Sequence, residues 1–354
     1  MRIVPLCGSI VVCLAQSPLT TITGCDNGIS CASVLANDLT FDCRFSGSDK
    51  SNNAGNVMML HGFPEWSSMY MPLMREFGDS NNNYYTMACN LRGYSAGASP
   101  DLESDYNYSN FVSDVIELAR VGFGEGEKYH LIGHDHGGIL GWLVAASDTK
   151  NILSYSSLSS PHPDAFSDGL YGENADVQQV DASQYFTMFT LEDSATIHHN
   201  FWWLTAGKTS STKFGEKFET PQDFQKSLWW YNGALADSIM AFPAVKSQWD
   251  LIKDGAWSAA FLRGIFGGTP DGGLPGLNRL GVVGVNSLFV CGTEDESILC
   301  SRDYSKKTSD FVGGEGVEYE YFEVKCGHDL LSCGNDEETN KVISKLIEHV
   351  EKNK

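Results

Sequence analysis

The stretch that most constrains this chain is Leu131-Ile132-Gly133-His134-Asp135-His136-Gly137-Gly138. It lies between a short apolar run, residues 129–132, and a run that reads as a helix, residues 139–147. A strand turning sharply into a helix, with small residues on both sides of the middle position, is the pattern of a nucleophile elbow. Gly133 and Gly137 fit because the middle residue is held in strained backbone geometry while the helix passes close to the strand. The middle residue is Asp135, not serine. A carboxylate there attacks carbon directly and becomes an ester of the enzyme, so the expected substrate carries an alkyl electrophile.

Hydrophobic periodicity places the elbow in a larger frame. Residues 16–34, rich in Ser, Thr, Gly and Cys, read as an irregular leader. Leu39, Phe41, Cys43 and Phe45 alternate with polar residues, predicting a strand with one buried face, and residues 46–56 read as a turn. Residues 57–60 are continuously apolar, as in a strand buried on both faces, and end in His61-Gly62-Phe63-Pro64-Glu65. Helices are expected near 67–77, 111–121 and 337–352, and strands at 84–89, 152–158, 287–291 and 317–324. Such alternation implies an α/β domain, with a mostly parallel central sheet and helices on both faces. From about residue 166 to 262 the pattern is helical and holds Trp202, Trp203, Trp229, Trp230, Trp249 and Trp257, six of the eight tryptophans. The expected organisation is a core over 16–163, an inserted helical lid over 164–264, and a second core segment over 265–354, entered through a Gly/Pro-rich stretch.

Composition narrows the partners. Twenty-four basic residues against 45 acidic ones give a formal charge of -21, which argues against nucleic acid or an anionic membrane. No apolar run reaches the ~18 residues a bilayer span needs. Arg2, the largely apolar residues 3–14 and Cys13-Leu14-Ala15 fit a secretory signal ending at Ala15; the rival is an ordinary N-terminal strand, with a cytoplasmic chain. Removal of residues 1–15 would take Cys7 and Cys13 and leave eight cysteines, an even number that suggests disulfides. Cys291 with Cys300 and Cys326 with Cys333 are the expected local pairs, and Cys89, at a strand end, is the strongest candidate for a buried free thiol. No cysteine or histidine spacing suggests zinc, and no metal is expected. Asn107-Tyr108-Ser109 is a single glycosylation sequon.

A literal GxSxG also occurs, at Gly93-Tyr94-Ser95-Ala96-Gly97, and would make the chain a serine-type ester hydrolase. Pro100 follows too closely for the helix an elbow requires, so the segment reads as a tight loop. An ester on Asp135 needs a base that activates water near neutral pH, and histidine is suited to it. Of nine histidines, His328 stands apart in Cys326-Gly327-His328-Asp329, between the last strand and the last helix. The orienting acid should precede it, and Asp295, in Gly292-Thr293-Glu294-Asp295 just past a strand end, is the choice, with Glu294 and Glu296 as solvated neighbours.

With these motifs in place the chain resembles the epoxide hydrolases of the α/β-hydrolase fold, from about residue 57 to 350. The resemblance rests on His61-Gly62-Phe63-Pro64-Glu65, Leu91-Arg92-Gly93-Tyr94, Gly133-His134-Asp135-His136-Gly137-Gly138, Gly292-Thr293-Glu294-Asp295 and Gly327-His328. It implies Asp135 as nucleophile, His328 as base, Asp295 as its orienting acid, and the backbone N–H groups of Phe63 and His136 as oxyanion hole. Two lid tyrosines hold the epoxide oxygen in that family; Ser183-Gln184-Tyr185-Phe186 and Leu228-Trp229-Trp230-Tyr231 match those segments, giving Tyr185 and Tyr231, with Trp230 against the substrate. The chain departs from the family in having His136 where tryptophan is usual and Asn232 where arginine is usual. The implied partner is a small-molecule epoxide, with no cofactor, and a homodimer is left open. A dehalogenase with the same Asp nucleophile, a serine esterase and a non-enzymatic binding module are the alternatives.

Overall fold

In the computed structural model of the chain, Val57, Met58, Met59 and Leu60 are each fully buried, and they form most of the central strand β4 (Asn56–Leu60). The structure describes residues 19–26, 28–47, 53–79, 81–170, 175–183, 185–186, 189, 193–197, 221, 224–231 and 280–354. The expected signal at 1–15 and much of the expected lid lie outside the described residues, including Gln184, His198, His199, Trp202, Trp203, Asn232, Trp249 and Trp257.

The sheet has nine strands: β1 (Leu19–Asp26), β2 (Ile29–Ala36), β3 (Leu39–Ser46), β4, β5 (Tyr85–Cys89), β6 (Tyr129–His134), β7 (Ile152–Leu158), β8 (Asn286–Gly292) and β9 (Tyr319–Val324). Their spatial order is β1-β2-β3-β5-β4-β6-β7-β8-β9. The first three strands and β5 pair antiparallel; from β5 onward every pairing is parallel. Alternate residues of β4 face opposite layers. Met58 and Leu60 pack with α2 (Tyr108–Phe123) and α3 (His136–Ser147) through Val115, Leu118 and Trp142. Val57 and Met59 pack on the other side with α1 (Met71–Gly78) and the C-terminal helix, through Leu73, Phe77 and Leu346. In the expected lid, α4 (Pro163–Leu170), α5 (Val177–Ala182) and residues 224–231 are helical. A short α6 (Asp303–Lys306) precedes β9, and α7 (Asp336–Lys352) closes the chain.

The N-terminal region differs from the sequence reading. The expected irregular leader at 16–34 contains most of the β1–β2 hairpin instead, held by a Cys25–Cys31 disulfide. β1 is rich in Thr, and in β2 the buried Ala32, Val34 and Ala36 are interleaved with Cys31 and Leu35 as well as Ser33, so the alternation is blurred; β2 is also held by the neighbouring β3, with which it pairs along seven positions. The turn between β2 and β3 uses Asn37 and Asp38, both at positive φ (49° and 61°), the residue types that tolerate a two-residue hairpin turn. Cys89 is not a free thiol: it is bonded to Cys43, its register partner on β3. The two local pairs, Cys291–Cys300 and Cys326–Cys333, form as expected. All eight cysteines beyond the expected signal at 1–15 are therefore oxidised, which is compatible with secretion. Among the described residues no helix is long and apolar enough to cross a membrane.

Buried histidines set the acid limit of the fold. Burial lowers His61 and His130 to about 4 and His162 to about 3. An unfolded imidazole titrates near 6.5, so below that pH the unfolded chain binds protons that the folded one refuses, and stability falls as pH falls. By pH 5 each of the three should have lost about 2 kcal/mol of stabilisation. His328 has the opposite shift, so its contribution is complete below about pH 6.5 and does not offset this loss. Urea unfolding is thus expected at a clearly lower midpoint at pH 5 than at pH 7; equal midpoints would refute this account.

Candidate active site

Asp135 sits between the end of β6 and the start of α3 with φ 53° and ψ -122°, a strained conformation for a non-glycine residue. Four hydrogen bonds fix it there. Its N–H donates to the Leu158 carbonyl (3.2 Å), and its carbonyl accepts from Gly138 N (2.8 Å), Ile139 N (3.0 Å) and Ser160 Oγ (2.7 Å). The glycines follow from crowding: a Cβ on Gly137 would stand 2.2 Å from the Leu60 carbonyl oxygen, and one on Gly62 would meet Asp135 Oδ1 at 2.4 Å. The bend and the loop after β4 can therefore approach each other only where side chains are missing.

Three residues predicted from separate parts of the sequence meet here. His328 Nε2 lies 3.2 Å from Asp135 Oδ2, and His328 Nδ1 lies 2.6 Å from Asp295 Oδ2. Each stands just past the carboxyl end of a strand (β6, β8 or β9), where loops of a parallel sheet converge. Burial opposes charge on His328, but attraction from Asp295 and Asp135 raises its pKa well above the usual value. Burial likewise opposes the two carboxylates, yet the His328 imidazolium lowers both. These attractions favour an imidazolium between two carboxylates. The His328 side chain keeps 28 % of its surface open, whereas that of Asp295 has none.

The other oxygen of the Asp135 carboxylate, Oδ1, accepts from the Phe63 N–H at 2.7 Å. The second expected oxyanion donor, the His136 N–H, starts α3 directly after Asp135. Tyr231 and Tyr185 are brought together, with ring centroids 6.4 Å apart, and Tyr231 packs edge-on against Phe63 at 5.2 Å. Burial first, then the Asp135 charge, raises both phenols well above 10, so each keeps its proton at any ordinary pH. The His136 ring lies 4.7 Å from that of Tyr231, and its Nε2 is 3.5 Å from the Tyr108 hydroxyl.

Other motif residues are occupied with holding the site together. Trp230 is almost wholly buried, donates its indole N–H to the Arg92 carbonyl (2.6 Å) and stacks on His61, seating the helical residues 224–231 on the loop after β5. Lys226 adds a second tie, donating to the Ser99 carbonyl (2.6 Å) and to Asp101 (2.8 Å). Ser95, the middle of the GxSxG segment, is buried in that same loop; its Oγ donates to the Asn90 carbonyl (2.8 Å) and accepts from Asp42 N (3.0 Å). His134 holds the His328 carbonyl through Nε2 (2.9 Å). Sequence reading missed Ser297 and Gln179, which fasten the Asp295 loop. Neither has a sequence signal beyond the nearness of Ser297 to Asp295. Among the described residues, no group of three or more Asp, Glu, His or Cys side chains could hold a metal ion.

Known proteins resemble this chain in part of its sequence and in its fold. Residues 55–204 match the family model of the alpha/beta hydrolase fold. The mouse protein "Epoxide hydrolase 4" is 27% identical over 193 residues, covering 52% of this chain and 51% of that protein. "Epoxide hydrolase 3" of Xenopus tropicalis is 32% identical over 136 residues (38% of this chain, 35% of that protein). A "Fluoroacetate dehalogenase" of Burkholderia is 34% identical over 129 residues (34% and 38%). The chain spans at most about half the length of these relatives. A crystal structure of an epoxide hydrolase from Vigna radiata superposes with a TM-score of 0.60 at 18% identity, covering 91% of this chain and 99% of that one. At that identity the likeness establishes the α/β-hydrolase fold alone.

Proposed function

We propose that this chain, which has the α/β-hydrolase fold, hydrolyses epoxides to vicinal diols through an ester on Asp135. The observation that carries the reading is the division of labour on one carboxylate. Oδ1 rests on the Phe63 N–H while Oδ2 lies beside His328, and the buried Tyr231 and half-buried Tyr185, whose phenols keep their protons, feel the Asp135 charge.

In the first step Asp135 Oδ2 bonds to a ring carbon, the carbon–oxygen bond of the epoxide breaks, and the leaving oxygen takes a proton from Tyr185 or Tyr231. Esterification removes one of the two anions beside His328, so the imidazolium gives up its proton, which returns to the tyrosinate, and becomes a base. In the second step His328 takes a proton from water as that water attacks the ester carbonyl. The carbonyl oxygen, Oδ1, becomes an oxyanion held by the Phe63 N–H, and Asp295 stabilises the new imidazolium. Collapse expels the diol, whose departing oxygen takes the proton, and restores Asp135.

Single-turnover labelling tests the sequence of events. With enzyme in excess over styrene oxide in heavy-oxygen water, the label is expected in the peptide containing Asp135 and not in the first diol. Label entering that diol directly would refute the ester. A dehalogenase reading keeps a foothold in the fluoroacetate dehalogenase relative and predicts halide release from a haloacetate. Reaction of Ser95 with a fluorophosphonate would instead revive the serine-esterase reading.

A further inference from the structure

The helix leading to Tyr185 is fastened to the loop carrying Asp295 largely by one side chain. Gln179, in α5, has no solvent exposure, and its amide is fully used. Nε2 donates to the Ser297 carbonyl (3.0 Å) and to Ser183 Oγ (2.7 Å), while Oε1 accepts from Leu299 N (2.7 Å) and from the Tyr304 hydroxyl (2.5 Å). The Asp176–Arg302 ion pair (2.7 Å) ties the start of the same helix to the residues just beyond. Ser297, gripped through its backbone, is also the residue that trims Asp295. Its N–H and Oγ both reach Asp295 Oδ1 at 2.8 Å, and Oγ lies 3.1 Å from His328 Nδ1. Replacing Gln179 with an apolar side chain would strand the Leu299 N–H and the Ser297 carbonyl together, so the loop could not keep this register unaltered.

We infer that Gln179 is a positioning residue that sets the Asp295–His328 pair, through Ser297, in register with the lid phenol Tyr185. The inference rests on the roles proposed above for these three residues. Gln179 touches no reacting atom; it acts by holding the acid loop and the lid helix as one body, so that the phenol that protonates the epoxide oxygen and the imidazole that activates water are placed together. Displacement of a catalytic group by about 1 Å can cost on the order of a hundredfold in rate.

The test uses the full chain with styrene oxide. Gln179→Leu is expected to lower kcat by about 100-fold with a much smaller change in KM, and to raise the steady-state fraction of esterified Asp135 seen by intact mass. Ser297→Ala, which removes only a hydroxyl, should also raise that fraction. Gln179→Glu, which retains acceptors for Leu299 N and Tyr304, should recover part of the rate. A readout that needs no substrate is the downfield proton resonance of His328 Nδ1–H against Asp295, which should shift or broaden in Gln179→Leu and in Ser297→Ala. If Gln179→Leu does not fold, Ser297→Ala and Gln179→Glu carry the same comparison. Unaltered kcat, ester fraction and resonance in these variants would overturn the inference, and a loss of stability alone would make Gln179 merely structural. A wild-type protein that opened no epoxide and formed no ester would instead sink the proposed function, leaving the resonance to judge the positioning role.

Discussion

Asp135→Asn should lower diol formation from styrene oxide by roughly 10⁵-fold, about 7 kcal/mol of transition-state stabilisation. Asparagine suits the test because it tolerates the positive φ (53°) of this position about as well as aspartate, whereas alanine would add backbone strain to the chemical loss. The amide can still accept from the Phe63 N–H through its oxygen, so the packing of the bend should survive. What it loses is the anion proposed to bond to carbon, whose charge, together with that of Asp295, raises the His328 pKa. Far-ultraviolet circular dichroism should be unchanged while turnover disappears; activity within tenfold of wild type would remove Asp135 from the mechanism.

The second large effect is expected at His328. His328→Gln should leave the first step running and halt the second, so one equivalent of substrate is consumed and the protein gains the mass of one epoxide. Steady turnover should fall at least about 10³-fold, the scale on which general-base catalysis and ordered water act together. The variant should also change the pH dependence of ester formation. Asp135 is buried, and the His328 hydrogen bond and charge are what outweigh that burial and hold its pKa down. Without them the carboxyl pKa rises, so ester formation in the variant should fail on acidification at a higher pH than in wild type. A variant that turns over without accumulating an adduct would show that water reaches the epoxide directly.

The elbow could be read directly because its causes are local. Glycines on both sides of Asp135, an apolar strand before it and a helical run after it are all contiguous, and α3 and β6 lie where those runs predict. The strands β4 and β8 are legible for the same reason, since burial on both faces leaves an unbroken apolar run at 57–60 and 288–291. The β1–β2 hairpin was not legible, because Thr dominates β1 and apolar residues fall on both faces of β2, blurring its alternation, while part of its support comes from β3 alongside. The bond between Cys43 and Cys89 escaped for a related reason. Chain order runs β3, β4, β5, but space sets β5 between β3 and β4, and only that exchange puts the two sulfurs opposite each other.

The residue types of the candidate site, and their order along the chain, were determined by the sequence: a carboxylate at a bend, then two lid phenols, a second carboxylate after a strand and an imidazole before the last helix. The tertiary structure alone decided which atoms face one another. It directed one oxygen of Asp135 to a backbone N–H and the other to His328, assigned the Ser95 hydroxyl and the Trp230 indole to structural bonds, and recruited Gln179 and Ser297, which no motif marks. The reason is physical. Local patterns fix what a segment becomes, but the bonds of Asp135 to Phe63 and His328, of Trp230 to Arg92 and of Gln179 to Ser297 exist only once the fold has brought distant segments together.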